Sequence, residues 1–152
     1  MANIDQDCRF CRIAAGDEPA PIVLADDVAV VFLDRRPLFP GHCLLVPREH
    51  AETLGDLPAE SVGPLFERVQ VLARAVERAI EAEGTFVAIN NRVSQSVPHL
   101  HVHVVPRRRG DGLRGFFWPR TTYRDDAHAE SVRAAIAAAL DADMAGDQAG
   151  RR

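Results

Sequence analysis

Lysine is absent from this chain of 152 residues, and all 18 basic residues are arginine. The 22 acidic residues outnumber them, and the formal net charge is −4. This balance argues against a general binder of nucleic acids or membranes, although arginine side chains remain available to bind phosphate groups. We therefore expect no nucleic-acid partner and no membrane partner.

Long apolar runs and cysteines are also scarce. No run approaches the ~18 apolar residues that indicate a membrane-spanning helix, and charged side chains are frequent among the first 20 residues, so we expect neither a span nor a signal peptide. Three cysteines in such a chain favour a reducing compartment, by default the cytoplasm. There, the Cys-x-x-Cys formed by Cys8 and Cys11 indicates metal or redox chemistry more often than a structural disulfide.

The periodicity of apolar residues predicts one domain that mixes strands and helices. A long helix is expected over residues 61–83, with Ser61 as its N-cap and Gly84 as its stop. An alanine-rich helix is expected over 127–140, followed by disorder. The predicted strands are 21–25, 28–33, 42–47, 86–90 and 98–106.

The last of these strands contains three of the six histidines of the chain, His99, His101 and His103. Side chains alternate between the faces of a strand, so this spacing places all three imidazoles on one face, roughly 6.6 Å apart. A lone histidine in a strand is most often an ordinary core or surface residue. Three in strict alternation indicate a functional surface, either for catalysis or for a metal ion held by neighbouring imidazoles.

At this stretch the sequence resembles the histidine triad (HIT) superfamily. Residues 99–105 match its alternating histidine signature, and further matches run in order from Cys8 to about Pro106. They are Phe32-Leu33-Asp34, Pro40-Gly41-His42 with Val46-Pro47 and His50, and Ala88-Ile89-Asn90 leading to Gln95-Ser96-Val97.

The resemblance implies an α+β fold: about five mainly antiparallel strands, one long helix and a shorter C-terminal helix. The resemblance ends at about Pro106. From the pattern of the remaining residues we expect a basic and aromatic extension at 113–123, so that the HIT domain with this extension spans residues 1–123, and the alanine-rich helix and a disordered tail occupy 124–152. The resemblance further implies a homodimer that binds a purine nucleotide. Such proteins cleave nucleoside phosphoramidates or dinucleoside polyphosphates at the α-phosphate, as hydrolases or transferases.

The resemblance also assigns roles to single residues. His101 matches the nucleophile that forms a nucleotidyl-histidine intermediate, and a neutral imidazole, with an ordinary pKa of ~6.5, is a competent nucleophile near pH 7. Asp34 matches the residue that binds the ribose hydroxyls. The remaining matches are His103, Gln95 and Ser96 for catalysis, Asn90 for the phosphate, Phe10, Ile13 and Phe32 for the base, and His42 beside the catalytic strand.

In the zinc-bearing relatives that the sequence resembles, a Cys-x-x-Cys pairs with two histidines. The matching residues here are Cys8, Cys11, His50 and His99. Two thiolates and two imidazoles complete a tetrahedral site, which is structural rather than catalytic.

Two departures leave the substrate preference open. The loop from Asn90 to Pro98 lacks the glycines common in relatives, and Arg35 stands where relatives often have an aliphatic residue beside the base. Two other functions also stay open at this point. One is a non-catalytic nucleotide-binding module, and the other is a metalloenzyme with His99, His101 and His103 around one ion.

Overall fold

A five-stranded sheet forms the centre of the structure, a computed structural model that describes residues 5–113 and 121–150. The strand order is β1-β2-β3-β5-β4, and every neighbouring pair is antiparallel. The predicted α+β fold is therefore confirmed. The strands are β1 (Ile22–Ala25), β2 (Ala29–Leu33), β3 (Cys43–Pro47), β4 (Gly84–Ala88) and β5 (Val102–Arg107); the helices are α1 (Arg9–Ala15), α2 (Ala59–Ile80) and α3 (Asp126–Gly150), with a short 3-10 helix at Leu54–Asp56.

Apolar side chains cover both faces of the sheet. Because side chains alternate along a strand, β2 and β3 contribute to both layers, and β3 is buried along its whole length. On one face, the buried stripe of α2 packs against the sheet; its members are Leu65, Val69, Leu72 and Val76. On the other face, α1 packs Phe10, Cys11 and Ile13 against Phe32 and Leu44. The short N-terminal helix thus lies on the face opposite to α2.

The bounds of α2 differ from the prediction at both ends. The helix begins at Ala59, two residues before Ser61, since positions 59 and 60 are strong helix formers. Pro64 therefore lies beyond the first turn, where its missing N–H removes one helical hydrogen bond. At the other end, Glu81 is the C-cap with φ 51°, so Gly84 is free to begin β4 instead of ending the helix.

The histidine stretch also differs from the prediction, because β5 begins at Val102 and leaves His99 and His101 before the strand. The backbone there makes other hydrogen bonds: the Leu100 N–H donates to the Ala51 carbonyl at 2.6 Å. The alternation nevertheless persists. Leu100 and Val102 are 0% exposed in the core beneath α2, and the imidazoles lie opposite.

A glycine fixes the turn before β3. Gly41 has φ 97°, and a Cβ there would lie 2.9 Å from Cγ1 of Ile80 and 3.4 Å from Cγ of Pro106. The left-handed conformation and the close approach of the end of α2 both require a residue without a side chain. This turn positions His42, whose N–H donates to the Phe39 carbonyl at 3.0 Å.

The chain divides into two compact units, Met1–Asp111 and Gly112–Arg152. In the second unit, α3 begins at Asp126 and continues to Gly150, so the disorder predicted after residue 140 is wrong for most of that tail. Alanine and methionine have high helix propensity, which favours this continuation. Most of the predicted aromatic extension, residues 114–120, lies outside the described residues, and the domain boundary at 123 stays a prediction. Among the described residues, no helix is both long enough and apolar enough to cross a membrane.

Candidate active site and metal centre

Four predicted metal ligands converge beside the histidine stretch. The Sγ atoms of Cys8 and Cys11 lie 3.4 and 3.5 Å from Nδ1 of His99, and Sγ of Cys11 lies 3.4 Å from Nδ1 of His50. All four candidate ligand atoms lie within 4.8 Å of one another. A tetrahedral zinc with Zn–S of ~2.3 Å and Zn–N of ~2.0 Å has S···N edges of about 3.5 Å. The observed spacing therefore fits such an ion.

The hydrogen bonds around these ligands favour metal binding as well. His99 Nε2–H donates to the Pro47 carbonyl at 3.0 Å, which leaves the lone pair on Nδ1, the atom that faces the cysteines. Burial raises the pKa of the Cys11 thiol to about 11. That thiol therefore stays protonated at neutral pH unless a cation stabilises its thiolate. The donor set and its surroundings suit a structural ion.

His101 is fixed in one tautomer by the backbone of the same stretch. Its Nδ1–H donates to the His99 carbonyl at 2.7 Å, so the neutral ring has its lone pair on Nε2. The ring is 4% exposed and lies against Phe10, edge to face, with centroids 5.2 Å apart. Since Phe10 lies between Cys8 and Cys11 on α1, the candidate metal site also braces this ring.

His103 is oriented by a chain of hydrogen bonds that begins at the backbone. The Leu38 N–H donates to His42 Nδ1 at 3.1 Å, so the proton of a neutral His42 is on Nε2. This Nε2–H donates to His103 Nδ1 at 2.9 Å, which places the proton of His103 on its Nε2. Burial lowers the pKa of His42, and burial together with the neighbouring His101 and His42 lowers that of His103 to about 4. Both rings are therefore neutral at pH 7, and His103 presents a donor.

The three triad rings thus have separate partners. His99 faces the cysteines, His101 bonds to the backbone, and His103 bonds to His42. Asp34, His42 and His103 also have oxygen and nitrogen atoms close enough to hold an ion. Nε2 of His42 carries the proton of that ring, however, because its Nδ1 accepts from the Leu38 N–H, so this nitrogen has no lone pair for an ion. Since the three triad rings face different partners, the structure argues against a metalloenzyme with all three around one ion.

A pocket of about 410 Å³ opens beside His101 and His103. Its walls include the predicted ribose residue Asp34 and the predicted base residues, Phe10, Ile13 and Phe32. Phe10 and Phe32 meet edge to face at 5.4 Å and form an apolar slot. Ser96 also lines the pocket.

Three predicted site residues do not line this pocket. His42 is 3% exposed and lies behind His103. Asn90 donates from Nδ2 to the Ser94 carbonyl at 3.4 Å, and Gln95 bonds to the backbone of Arg92 and Glu52. In this structure the three side chains form hydrogen bonds within the protein, outside the pocket.

Several lining residues were missed by sequence reasoning. Arg9 lines the pocket from α1, where its Nε donates to Glu18 at 2.7 Å, and Arg36 lines it from the loop that follows β2. Leu44 and Val97 also contribute to the walls. Leu44 could have been predicted, because the alternation of side chains along β3 puts it on the same face of the sheet as Phe32. No local pattern distinguishes the two arginines from solvated surface residues.

Sequence comparison places this geometry in a family. The HIT domain model matches residues 15–110, and the chain therefore belongs to the HIT family. The chain is 35% identical over 131 residues to the Protein hit of Bacillus subtilis, covering 84% of this chain and 88% of that protein. It is 34% identical over 114 residues to an adenosine 5′-monophosphoramidase of Schizosaccharomyces pombe, covering 74% and 83%. Against an adenylylsulfatase of Arabidopsis thaliana it is 31% identical over 114 residues, covering 74% of this chain but 58% of that protein.

Solved structures agree with the family assignment. A Streptococcus mutans protein superposes with a TM-score of 0.82 at 32% identity, covering 92% of this chain and 89% of that one. A zinc-bound histidine triad family protein from Mycobacterium smegmatis superposes with a TM-score of 0.67 at 37% identity, covering 90% and 97%. The fold is therefore shared with HIT proteins.

Proposed function

We propose that this protein is a nucleotide hydrolase or transferase that cleaves at the α-phosphate through a nucleotidyl-histidine intermediate. The observation that carries the proposal is the tautomer of His101. With its Nδ1–H held by the His99 carbonyl, the unprotonated Nε2 is the nucleophilic atom, and the ring lines the pocket. The named activities of two relatives, a phosphoramidase and an adenylylsulfatase, support a nucleoside phosphoramidate or a related nucleoside 5′-phosphoryl compound as substrate. A dinucleoside polyphosphate has the same reacting centre.

In the first step, His101 Nε2 attacks the α-phosphorus and forms a P–N bond, while the bond to the leaving group breaks and the leaving group takes up a proton from solvent water. In the second step, water or another acceptor attacks the phosphorus, the P–N bond breaks to restore neutral His101, and the proton of the acceptor passes to solvent. His103 Nε2–H donates to a phosphoryl oxygen as negative charge develops there. A preorganised donor of this kind contributes on the order of 10²–10³ in rate.

The pocket walls suit a purine nucleotide. The slot between Phe10, Ile13 and Phe32 offers apolar contact for a base, and the Asp34 carboxylate accepts hydrogen bonds from the ribose hydroxyls. We assign Ser96, which lines the same pocket, to contact with the phosphoryl group or the leaving group. We assign His42 to the support of His103, since it does not reach the pocket.

We further propose that zinc binds to Cys8, Cys11, His50 and His99 as a structural ion. An ion with four protein ligands has no open position for substrate, so its contribution is to tie α1 to the histidine stretch. The zinc-bound relative and the ligand spacing support this assignment.

A homodimer is the assembly that we propose. Val71 lies on α2 outside the buried stripe and is 55% exposed, and Ala75 and Ala79 follow it at four-residue steps. A second apolar face on a helix favours a partner helix.

Trapping the intermediate tests the proposed function. A substrate radiolabelled at the α-phosphate, quenched during turnover, should leave its label on His101. His101→Ala should lower kcat by several orders of magnitude while nucleotide binding persists, because no other residue forms the intermediate. His128→Ala is the matched control, since that histidine belongs to the second compact unit. Nucleotide binding without any turnover by the intact protein would favour the non-catalytic binding module, and label on another residue would contradict the assignment.

A further inference from the structure

The loop between β4 and the histidine stretch contains two residues in an unfavourable backbone conformation. Arg92 has φ 67° and Ser94 has φ 59°, and neither is glycine. A left-handed conformation brings the Cβ of an L-residue too close to the neighbouring carbonyl oxygen. Such residues persist where surrounding contacts hold them in place.

The side chain of Gln95 supplies such a restraint. Its Oε1 accepts a hydrogen bond from the Arg92 N–H at 2.6 Å, which closes the loop on itself. Its Nε2 donates to the Glu52 carbonyl at 2.6 Å, which ties the loop to the segment that follows β3. One amide group therefore fixes both the shape of the loop and its attachment to the rest of the protein.

The segment to which Gln95 attaches is itself well fixed. It follows the candidate metal ligand His50, and Thr53 within it is 2% exposed. The Asp56 carboxylate accepts from both the hydroxyl and the N–H of Thr53, at 2.6 and 3.0 Å. Asn91 strengthens the attachment, because its Oδ1 accepts from the Leu54 N–H at 3.0 Å. The loop thus rests on a rigid support.

The functional consequence lies in the next two residues. Ser96 and Val97 line the pocket with His101 and His103, whereas Gln95 does not. We propose that Gln95 is a positioning residue that clamps this loop and thereby places Ser96 and Val97 beside the reacting phosphate. The effect on catalysis rests on the proposed function, whereas the clamp itself rests only on the contacts of Gln95. A direct contact of Gln95 with the leaving group would require the clamp to open.

The clamp can be tested without any substrate. Arg92 is a trypsin site within the loop, and its side chain is 67% exposed. Gln95→Glu preserves size but loses the donor to the Glu52 carbonyl, and Gln95→Ala loses both contacts. Cleavage after Arg92 in the folded protein should become about tenfold faster in both variants, because local opening becomes more frequent. The control Gln70→Ala changes an exposed glutamine on α2 and should cleave at the wild-type rate.

A kinetic experiment separates positioning from direct contact. Nucleoside phosphoramidates with amine leaving groups of different basicity would be compared in wild type and Gln95→Ala. Positioning predicts that kcat falls by the same factor for every leaving group, while the Kd of a nucleoside monophosphate stays within about threefold. Unchanged cleavage after Arg92, or a loss of kcat that varies with the leaving group, would overturn the proposal. If wild type turned over none of these substrates, the proposed function would fail. The proteolysis result alone would then decide whether Gln95 clamps the loop.

Discussion

Replacing His42 tests the hydrogen-bond chain behind the triad. His42 accepts from the Leu38 N–H and donates to His103 Nδ1, but it does not line the pocket. His42→Leu introduces an apolar side chain of similar length and removes both hydrogen bonds. His103 then loses the partner that selects its tautomer, so part of the population presents a lone pair to the phosphate in place of a donor.

The magnitude follows from the bonds lost. A neutral hydrogen bond contributes about 1 kcal/mol net, which changes the ratio of the two His103 tautomers roughly fivefold. The share of the donor tautomer then falls from about five-sixths to about half, so kcat should fall by roughly twofold. That loss is smaller than the 10²–10³ expected for His103→Ala, because the ring itself remains. Leaving the Leu38 N–H and His103 Nδ1 without partners should lower the free energy of unfolding by about 2–4 kcal/mol.

Steady-state kinetics and urea unfolding would measure the two effects separately. His42→Gln is the matched control, since its amide nitrogen can reach the place of Nε2 and still donate to His103; its kcat should lie closer to wild type. Nε2 of His42 also lies 3.7 Å from the Asp34 carboxylate, which gives a second outcome to look for. If His42→Leu raised KM and left kcat unchanged, Asp34 would be its functional partner and the reasoning about His103 would be refuted.

Three further predictions concern the metal, the assembly and pH. Cys8→Ala should abolish zinc binding and lower the unfolding midpoint, whereas Cys43→Ala should retain one zinc per chain by elemental analysis; folded, active protein without metal would contradict this. Val71→Glu should convert a dimer to a monomer of 16.7 kDa in sedimentation; a monomeric wild type at micromolar concentration would argue against the dimer. Burial lowers the pKa of His103 from its ordinary 6.5 to about 4. The contribution of neutral His103 to the free energy of unfolding is therefore complete above pH 6.5 and is lost as pH falls towards 4. Urea midpoints at pH 7 and pH 5 should show this decrease, and His103→Gln should reduce it.

The sequence predicted the elements that depend on local pattern. The five strands and the long helix are visible in its apolar periodicity, and the alternation of the histidines survives even though β5 begins only at Val102. The convergence of Cys8 and Cys11 with His50 and His99 could be expected only from the family resemblance. Nothing in the spacing of distant residues indicates which of them will meet in space.

The hydrogen-bonded supports of the site could not be read from the sequence. The role of His42 depends on a bond from the Leu38 backbone, and the role of Gln95 depends on the Glu52 carbonyl, 43 positions away in the chain. By resemblance, Gln95 is matched to catalysis and His42 to a position beside the catalytic strand. Neither lines the pocket, and the polar atoms of both form hydrogen bonds within the protein. Assignments by motif therefore predict a site, but they do not give the contacts of every residue in it.

His99 contacts both the candidate metal site and the candidate nucleophile. Its Nδ1 faces the cysteines, its Nε2–H donates to Pro47, and its backbone carbonyl accepts from His101 Nδ1. One residue thus connects the candidate metal site to the tautomer of the candidate nucleophile through a single peptide group. A shift of His99 would move the carbonyl that holds His101, so an ion that fixes His99 would also fix the candidate nucleophile without touching the substrate. Because this coupling runs through the backbone, any ion that holds His99 in the same tetrahedral site would have the same effect.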